Sequence, residues 1–155
     1  MQIEIRKFTD EDVDVIIDIF QQSVRRTASK DYDPGQIAAW SQVDTDRWRT
    51  RQSNRPTWIA LVKGVPAGFT DLESDGHLDM MFVHPDFAGQ GVATSLLRQV
   101  EQHAKKLSLS RIFTEASITA KPFFEKNGFT VIAEQVVEIR GAKLRNYRME
   151  KFLVE

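Results

Sequence analysis

The sequence predicts a mixed α/β (α+β) fold whose central sheet is mostly antiparallel and flanked by helices. Three observations favour this class. Alternating apolar segments mark strands near both ends, three strand-like segments follow one another between tight turns, and two long segments repeat apolar residues at helical spacing. The predicted order, β-α-α-β-β-β-α-β-α-β-β, is not the regular βαβ alternation of a dinucleotide-binding fold. We expect one domain over residues 1–155.

The first third of the chain is predicted to form a strand and then helices. Thr9 is a typical N-cap residue, and the three acidic residues after it suit the first turn of a helix. Asp33 and Pro34 suit an N-cap and a first helical position. The predicted bounds are 2–8 for the strand, 9–28 for the long helix, 34–40 for a short helix and 45–52 for another.

The rest of the chain is predicted to contain a meander, two helices and three more strands. Lys63-Gly64 and Ser74–Gly76 are turn sequences that separate three consecutive strands. Gly128 suits the position that closes a helix. The predicted strands are 57–62, 67–72, 77–83, 110–115, 130–139 and 143–151, and the predicted helices follow residue 91 and cover 119–127.

Composition and charge exclude several classes of function. The formal net charge is −1, from 21 basic and 22 acidic side chains, so no nucleic-acid partner is expected. The absence of cysteine excludes disulfides, thiolate zinc sites and cysteine nucleophiles. The three histidines show no metal-ligand spacing, so no metal is expected. No segment has the length or apolar content of a membrane span or signal core, so we expect a cytoplasmic protein with no membrane partner.

Residues 80–97, MMFVHPDFAGQGVATSLL, have the order of a strand, a glycine loop and a helix start. Gly89 and Gly91 lie between small residues, where the backbone can approach a ligand and the N–H groups of the helix start favour an anion. A P-loop is excluded because no Gly-Lys-Ser/Thr follows, and Thr94 occupies the third glycine position of a dinucleotide fingerprint. The loop predicts a phosphate-bearing ligand; a turn in which the glycines only relieve strain is the alternative.

Two motifs together resemble the GNAT N-acetyltransferase superfamily. VHPDFAGQGVATSLL is similar to its acetyl-coenzyme A (acetyl-CoA) loop, and SITAKPFFEKNGF is similar to its later segment, Asn-x-x-Ala followed by Phe-Tyr-Glu-Lys and Gly-Phe. The order of elements also matches, so the resemblance covers nearly the whole chain. It implies an N-acetyltransferase that moves acetyl from acetyl-CoA directly to an amine of a small molecule or peptide. A non-catalytic acyl-CoA sensor or interaction module is the first alternative, and a nucleotide-cofactor enzyme is the second.

The resemblance also assigns residues to the coenzyme. Loop N–H groups would hold the pyrophosphate, and the pantetheine arm would pair like an added strand with the end of the strand before the loop. That strand and strand 110–115 must then splay apart, and an N–H near Phe82 or Val83 would polarise the thioester carbonyl. The implied cofactor-binding residues are Phe82, Val83, Ala88, Gly89, Gln90, Gly91, Val92, Ala93, Thr94, Ser117, Phe123, Phe124 and Lys126.

Direct transfer requires a neutral amine, and a lysine-type amine has a pKa of about 10.4, so a carboxylate base is expected. The chain departs from the family at Ala88, where Arg or Gln is usual, and at Phe124, where a tyrosine often serves as the general acid. The alternative for each carboxylate is a solvated or ion-paired residue. The candidate catalytic residues are Asp79 and Glu115 for the base, and Ser117 and Tyr147 for the acid.

The acceptor pocket is expected between the first two helices. Tyr32 and Trp40 are the candidate substrate-binding residues, as aromatic walls with one polar handle, although Trp40 is also a candidate core residue. Lys143, Arg145 and Tyr147 alternate onto one strand face, which is either solvated or faces an anion. The expected partner is an amine-bearing small molecule or peptide, and a homodimer is left open.

Overall fold

The computed structural model describes residues 2–154 and confirms the predicted fold class. The strands are β1 (Ile3–Lys7), β2 (Thr57–Val62), β3 (Val65–Asp71), β4 (His77–Leu78), β5 (Met81–Val83), β6 (Arg111–Ser117), β7 (Thr130–Ile139) and β8 (Ala142–Phe152). The α-helices are α1 (Val13–Gln22), α2 (Pro34–Trp40), α3 (Thr45–Ser53), α4 (Val92–Lys106) and α5 (Lys121–Lys126). Each helix in this range is too short or too polar to cross a bilayer.

The strands form two four-stranded sheets, in the orders β1-β2-β3-β5 and β4-β6-β8-β7. Among the described strands, β4 and β6 pair in parallel and all other neighbours pair antiparallel. The turn at Lys63 and Gly64, both with positive φ, closes the β2–β3 hairpin as predicted. The sheet arrangement is therefore mixed and mostly antiparallel, and it is divided where β5 and β6 face each other.

The strand predicted over 77–83 is broken at Asp79 and Met80, so β4 belongs to one sheet and β5 to the other. The buried Asp71 carboxylate causes the break, because its Oδ1 accepts hydrogen bonds from the backbone N–H groups of Asp79 and Met80, both at 2.9 Å. These two N–H groups are thus unavailable to a strand neighbour. The chain consequently pairs with β6 before the break and with β3 after it.

The first helix begins near the predicted residue but ends differently. The Thr9 N–H donates to the Asp12 carboxylate at 2.9 Å, which fixes the start of the helical segment. Regular α-helix ends at Gln22, and a π-helical turn, Ser23–Thr27, and a 3₁₀ turn, Ala28–Lys30, follow. π-helical turns are frequent at functional sites, and this one lines the cavity described below.

The core packs against both faces of the first sheet. Ile59 and Phe69 point to the α1 side and pack with Ile16 and Phe20, all at most 4% exposed. Ala60, the neighbour of Ile59, points to the other face, as successive side chains of a strand do, and packs with Val92 and Leu96 of α4. Ala67 joins this second cluster although it is only two residues from Phe69, because the register of β2 and β3 shifts at a bulge after Ala60. This packing against the sheet holds the start of α4 next to β5.

Candidate active site

The ends of β5 and β6 splay apart and leave backbone groups facing the gap between them. Met80 and His84 turn their backbone groups towards β3. The Asp71 N–H donates to the Met80 carbonyl at 3.1 Å, and the His84 N–H donates to the Ala67 carbonyl at 2.8 Å. Because these directions alternate along a strand, Met81 and Val83 turn their N–H and C=O groups towards β6. The sheet edge is therefore open at the position where the resemblance requires it.

A cavity of about 470 Å³, which we call the long cavity, occupies this gap and continues to the glycine loop. Gly91, at φ +85°, is the N-cap of α4, and the first N–H bond within the helix runs from Ser95 to Gly91 O. The N–H groups of Val92, Ala93 and Thr94 therefore have no acceptor within the helix. The long cavity combines an open strand edge with an amide-lined anion site.

A second cavity of about 310 Å³, the aromatic cavity, lies on the other side of the gap. Phe20 lines it, and the ring centroids of Trp48, Phe82 and Trp40 lie 4.8, 4.9 and 6.4 Å from that of Phe20. Five residues line both cavities, and we call them the junction: Trp40, Asp79, Phe82, Glu115 and Ser117. The structure thus brings both predicted base candidates to the place where the two cavities meet.

The two junction carboxylates are held by cations that the sequence analysis did not assign. Arg55 donates to Asp79 at 3.0 Å, and His77 Nε2 lies 2.7 Å from Glu115 Oε1. The other ring nitrogen of His77 lies 2.7 Å from Glu73. The hydrogen bond to Glu115, followed by that to Glu73, raises the pKa of His77 to about 9 although burial opposes the shift. His77 is therefore protonated at pH 7 and donates to both carboxylates.

His77, Asp79 and Glu115 also have the ligand types of a metal site, with ligand atoms within 4.8 Å of one another. No metal was expected from the sequence. Both nitrogens of His77 are engaged by carboxylates, and its raised pKa favours a proton over a cation. The cluster consequently fits an ion-pair network better than a metal site.

A buried network behind the junction sets the position of Asp79. Asp71, whose side chain is fully buried, accepts from Gln52 Nε2 at 3.0 Å and lies 3.6 Å from the Arg55 guanidinium, while burial raises its pKa. Gln52 also donates to Thr57 at 3.2 Å. These residues come from α3, β2 and β3, so no local motif in the sequence links them. Sequence reasoning therefore missed them.

The other predicted site residues separate into two groups. Most of the predicted coenzyme residues, including Phe124, line the long cavity, but Gln90 and Lys126 are not among its lining residues. The Ser117 hydroxyl oxygen accepts from the Ala120 N–H at 3.0 Å, which leaves its own O–H available to the junction. Tyr147 lines neither cavity, and its hydroxyl donates to Glu134 at 3.2 Å.

The ring of Tyr32 lines the aromatic cavity, and its hydroxyl is hydrogen-bonded to two backbone groups. The hydroxyl donates to the Arg145 carbonyl at 2.6 Å and accepts from the Ile118 N–H at 2.9 Å, while burial raises the pKa of Tyr32. The hydroxyl that was expected to contact an acceptor is thus occupied by backbone groups of β8 and of the residue that follows β6. The ring lies 5.5 Å from Trp40, between centroids, and forms part of the aromatic cavity wall.

The His77 network predicts a pH dependence of stability. The pKa of His77 is raised from 6.5 to about 9, so its contribution is complete below pH 6.5 and is lost as the pH rises through 9. Between these values we expect a loss of up to about 1.4 kcal/mol per pH unit from this group. Urea unfolding of the protein and of His77→Gln at pH 6 and pH 9.5 checks this. A stability difference between the two proteins that is the same at both pH values would contradict it.

Three comparisons place this geometry among known proteins. The family model described as "Acetyltransferase (GNAT) domain" matches residues 28–151. The chain is 38% identical over 147 residues to the uncharacterized N-acetyltransferase YafP of Escherichia coli K12, covering 95% of this chain and 94% of the relative. It is 28% identical over 144 residues to the peptidyl-lysine N-acetyltransferase YjaB of Salmonella typhimurium LT2, with 91% and 92% covered.

A solved structure is similar over nearly its full length. It is described as a GCN5-related N-acetyltransferase, "Aminotransferase, Class-II", from Rhodopseudomonas palustris, and is 34% identical with a TM-score of 0.96. The match covers 99% of this chain and 97% of that one. The divided sheet and the glycine loop of the present chain therefore belong to an architecture already known from experiment.

Proposed function

The chain belongs to the GNAT family of N-acetyltransferases, and we propose that it moves acetyl from acetyl-CoA directly to an amine of a small molecule or peptide. One observation carries the proposal. The long cavity joins the anion site of the loop to the open edge of β5, and it meets the aromatic cavity at two carboxylates. A donor and an acceptor entering from opposite sides would meet at the junction, which is the requirement for direct transfer.

The donor side of the proposal assigns backbone groups to acetyl-CoA. Amides of Val92, Ala93 and Thr94 would bind the pyrophosphate, and the β5 edge would pair with the pantetheine amides. The alternation of backbone groups along β5 favours Val83 over Phe82 as the N–H donor to the thioester carbonyl. The backbone N–H of Phe82 points to β3, whereas that of Val83 points to the gap. Ala88 lacks the usual side-chain contact, so backbone amides would carry the phosphate binding.

The acceptor side needs a proton acceptor and, for the leaving thiolate, a proton donor. The amine nitrogen would attack the thioester carbonyl, the C–N bond would form and the C–S bond would break. The nitrogen would lose a proton to Glu115 or Asp79, and the thiolate would gain one from Ser117 or from water. Tyr147 is not part of this proposal, since its hydroxyl is bonded to Glu134 outside both cavities.

Glu115→Gln tests the base assignment. We expect kcat to fall about 100-fold at pH 7, because general bases contribute about 10²–10⁴ in rate, while acetyl-CoA binding changes little. The assay measures thiol release over a panel of amines, with binding followed by thermal shift. Asp79→Asn tests the second candidate in the same way.

Glu138→Gln, on the exposed edge of β7, serves as the matched control and should retain full activity. Unchanged kcat in both Glu115→Gln and Asp79→Asn would contradict a carboxylate base. Acetyl-CoA binding without thiol release for any amine would instead favour the acyl-CoA sensor.

A further inference from the structure

The aromatic cavity contains a half-buried cation without an ion-pair partner. The Arg51 guanidinium, on α3, lies 5.2 Å from the Trp48 ring centroid and donates through Nε to Gln52 at 3.1 Å. Within residues 2–154, no carboxylate forms an ion pair with it, and burial lowers its pKa. The charges of Asp79 and Asp71 attract the guanidinium from a distance and partly oppose this effect of burial, but both carboxylates are paired with Arg55. A charge buried in this way is costly unless a partner arrives.

Two further arginines line the same cavity, and each of them is already engaged by another residue. Arg140 donates to the Ala39 carbonyl at 3.0 Å, and the Arg145 guanidinium lies 3.4 Å from Glu134. All three arginines belong to the aromatic cavity alone, whereas the two carboxylates Asp79 and Glu115 also line the long cavity. The two carboxylates thus lie where the cavities meet, whereas the arginines line only the aromatic cavity. Within the described part of the chain, Arg51 alone among the three has neither a carboxylate nor a backbone carbonyl as a partner.

An unsatisfied acceptor atom adds an independent observation. Asn146 lines the aromatic cavity, and among the described residues its side-chain oxygen is buried without a hydrogen-bond partner. Buried polar atoms are normally paired, so an atom of this kind indicates a missing donor. The wall of the aromatic cavity therefore contains one buried polar atom that the described residues leave without a partner.

From these features, and resting on the proposed function, we propose that the acceptor is an amine that also carries an oxyanion, such as a carboxylate or phosphonate, on an apolar body. Its nitrogen would lie near Asp79 and Glu115. Its oxyanion would pair with Arg51, whose planar guanidinium binds such groups with two N–H donors. The aromatic rings would contact the apolar body.

A lysine side chain of a peptide fits these features less well. Its aliphatic stem would pack against the aromatic rings and its amine would reach the carboxylates. A lysine side chain has no anionic group, however, that could pair with Arg51. The cavity of about 310 Å³ is in the size range of small-molecule sites. The observations therefore favour a small zwitterionic amine over a protein substrate.

The test compares matched ligands by calorimetric titration of the full chain saturated with coenzyme A. The pairs are L-phenylalanine with phenethylamine, and L-methionine with 3-(methylthio)propylamine. The phosphonate analogue of phenylalanine and Nα-acetyl-L-lysine amide are added as single probes. We expect at least one acid to bind at least 10-fold more tightly than its decarboxylated partner. The phosphonate arm shows whether Arg51 selects a carboxylate or accepts any oxyanion.

Arg51→Gln should abolish this preference while leaving the affinity for the decarboxylated amine within about 3-fold. That retained affinity shows that Arg51→Gln is folded, and Arg51→Lys, which keeps the charge, should retain part of the preference. Arg49→Gln is the matched control, because Arg49 lies on the same helix, pairs with Asp46 at 3.1 Å and lines neither cavity. It should keep the full preference.

Three results would overturn the inference: equal or weaker binding of every acid, absence of binding by every acid, or an acid preference that survives in Arg51→Gln. Binding by Nα-acetyl-L-lysine amide alone would also overturn it and favour a peptide acceptor. None of these results affects the proposed acetyl transfer. Conversely, tight, Arg51-dependent binding of an acid that is never acetylated would support the oxyanion site at Arg51 and count against the proposed function.

Discussion

Gly91→Glu is expected to weaken acetyl-CoA binding at least about 100-fold, or about 2.7 kcal/mol. The substitution places a carboxylate at the N-terminus of α4, beside the amides proposed to hold the pyrophosphate. It also forces a side chain into φ +85°, where only glycine is free of steric cost. Charge repulsion and a distorted helix start act in the same direction. Calorimetric titration with acetyl-CoA measures the change.

Two controls separate the contributions of charge and strain. Gly64→Glu introduces the same side chain at φ +78°, in the β2–β3 turn where an added Cβ meets nothing within 4 Å and which lines neither cavity. It should cost similar backbone strain and leave acetyl-CoA affinity intact. Gly91→Ala adds strain without charge and should give a smaller loss. Gly91→Glu with unchanged affinity would refute the assignment of the loop to the pyrophosphate.

Asp71→Ala is expected to lower the free energy of unfolding by about 3–5 kcal/mol and to reduce acetyl transfer to background. The carboxylate is fully buried and accepts from the Asp79 and Met80 N–H groups and from Gln52. Its removal leaves these donors unpaired and takes a partner from Arg55, which are among the most destabilising changes in a protein interior. Since the same bonds set the β4–β5 break, Asp79 would also lose its position at the junction.

Asp71→Asn distinguishes the two effects. The amide oxygen can still accept from the two backbone N–H groups, but its NH₂ group faces the NH₂ group of Gln52, so we expect an intermediate loss of stability. Asp18→Ala, at an exposed position of α1, is the control and should change stability by less than about 0.5 kcal/mol. Urea unfolding gives the free energies. An Asp71→Ala protein as stable and active as the parent would show that the break does not depend on this carboxylate.

Local signals in the sequence were enough to predict most elements and the loop. A two-residue turn at Lys63-Gly64, a helix start at Asp33-Pro34 and a glycine at the N-cap of α4 each depend on neighbours in the chain. The Asp33 carboxylate accepts from the Gln36 N–H at 2.8 Å, as an N-cap residue does. Such features are predictable because their physical cause lies within a few residues.

The strand break and the cation network depend on residues far apart in the chain and were not predicted. Asp79 and Met80 fit a strand by local pattern, and only the Asp71 carboxylate diverts their N–H groups. Likewise, His77 and Glu115 are 38 positions apart and meet because β4 and β6 pair in parallel. The unpaired Arg51 belongs to a helix with three arginines and a single aromatic residue, Trp48, and this pattern does not show which arginine faces a cavity.

The open edge of β5 has a consequence for self-association. An unpaired strand edge normally attracts strands of other chains and is a starting point for aggregation. Here the free edge is three residues long, Pro85 follows it after one residue, and Phe87, Phe123 and Phe124 line the cavity in which it lies. A short edge next to a proline and inside a cavity is a poor template for a strand of another chain. The feature that would receive the coenzyme in the proposed function is thus built so that it does not promote self-association.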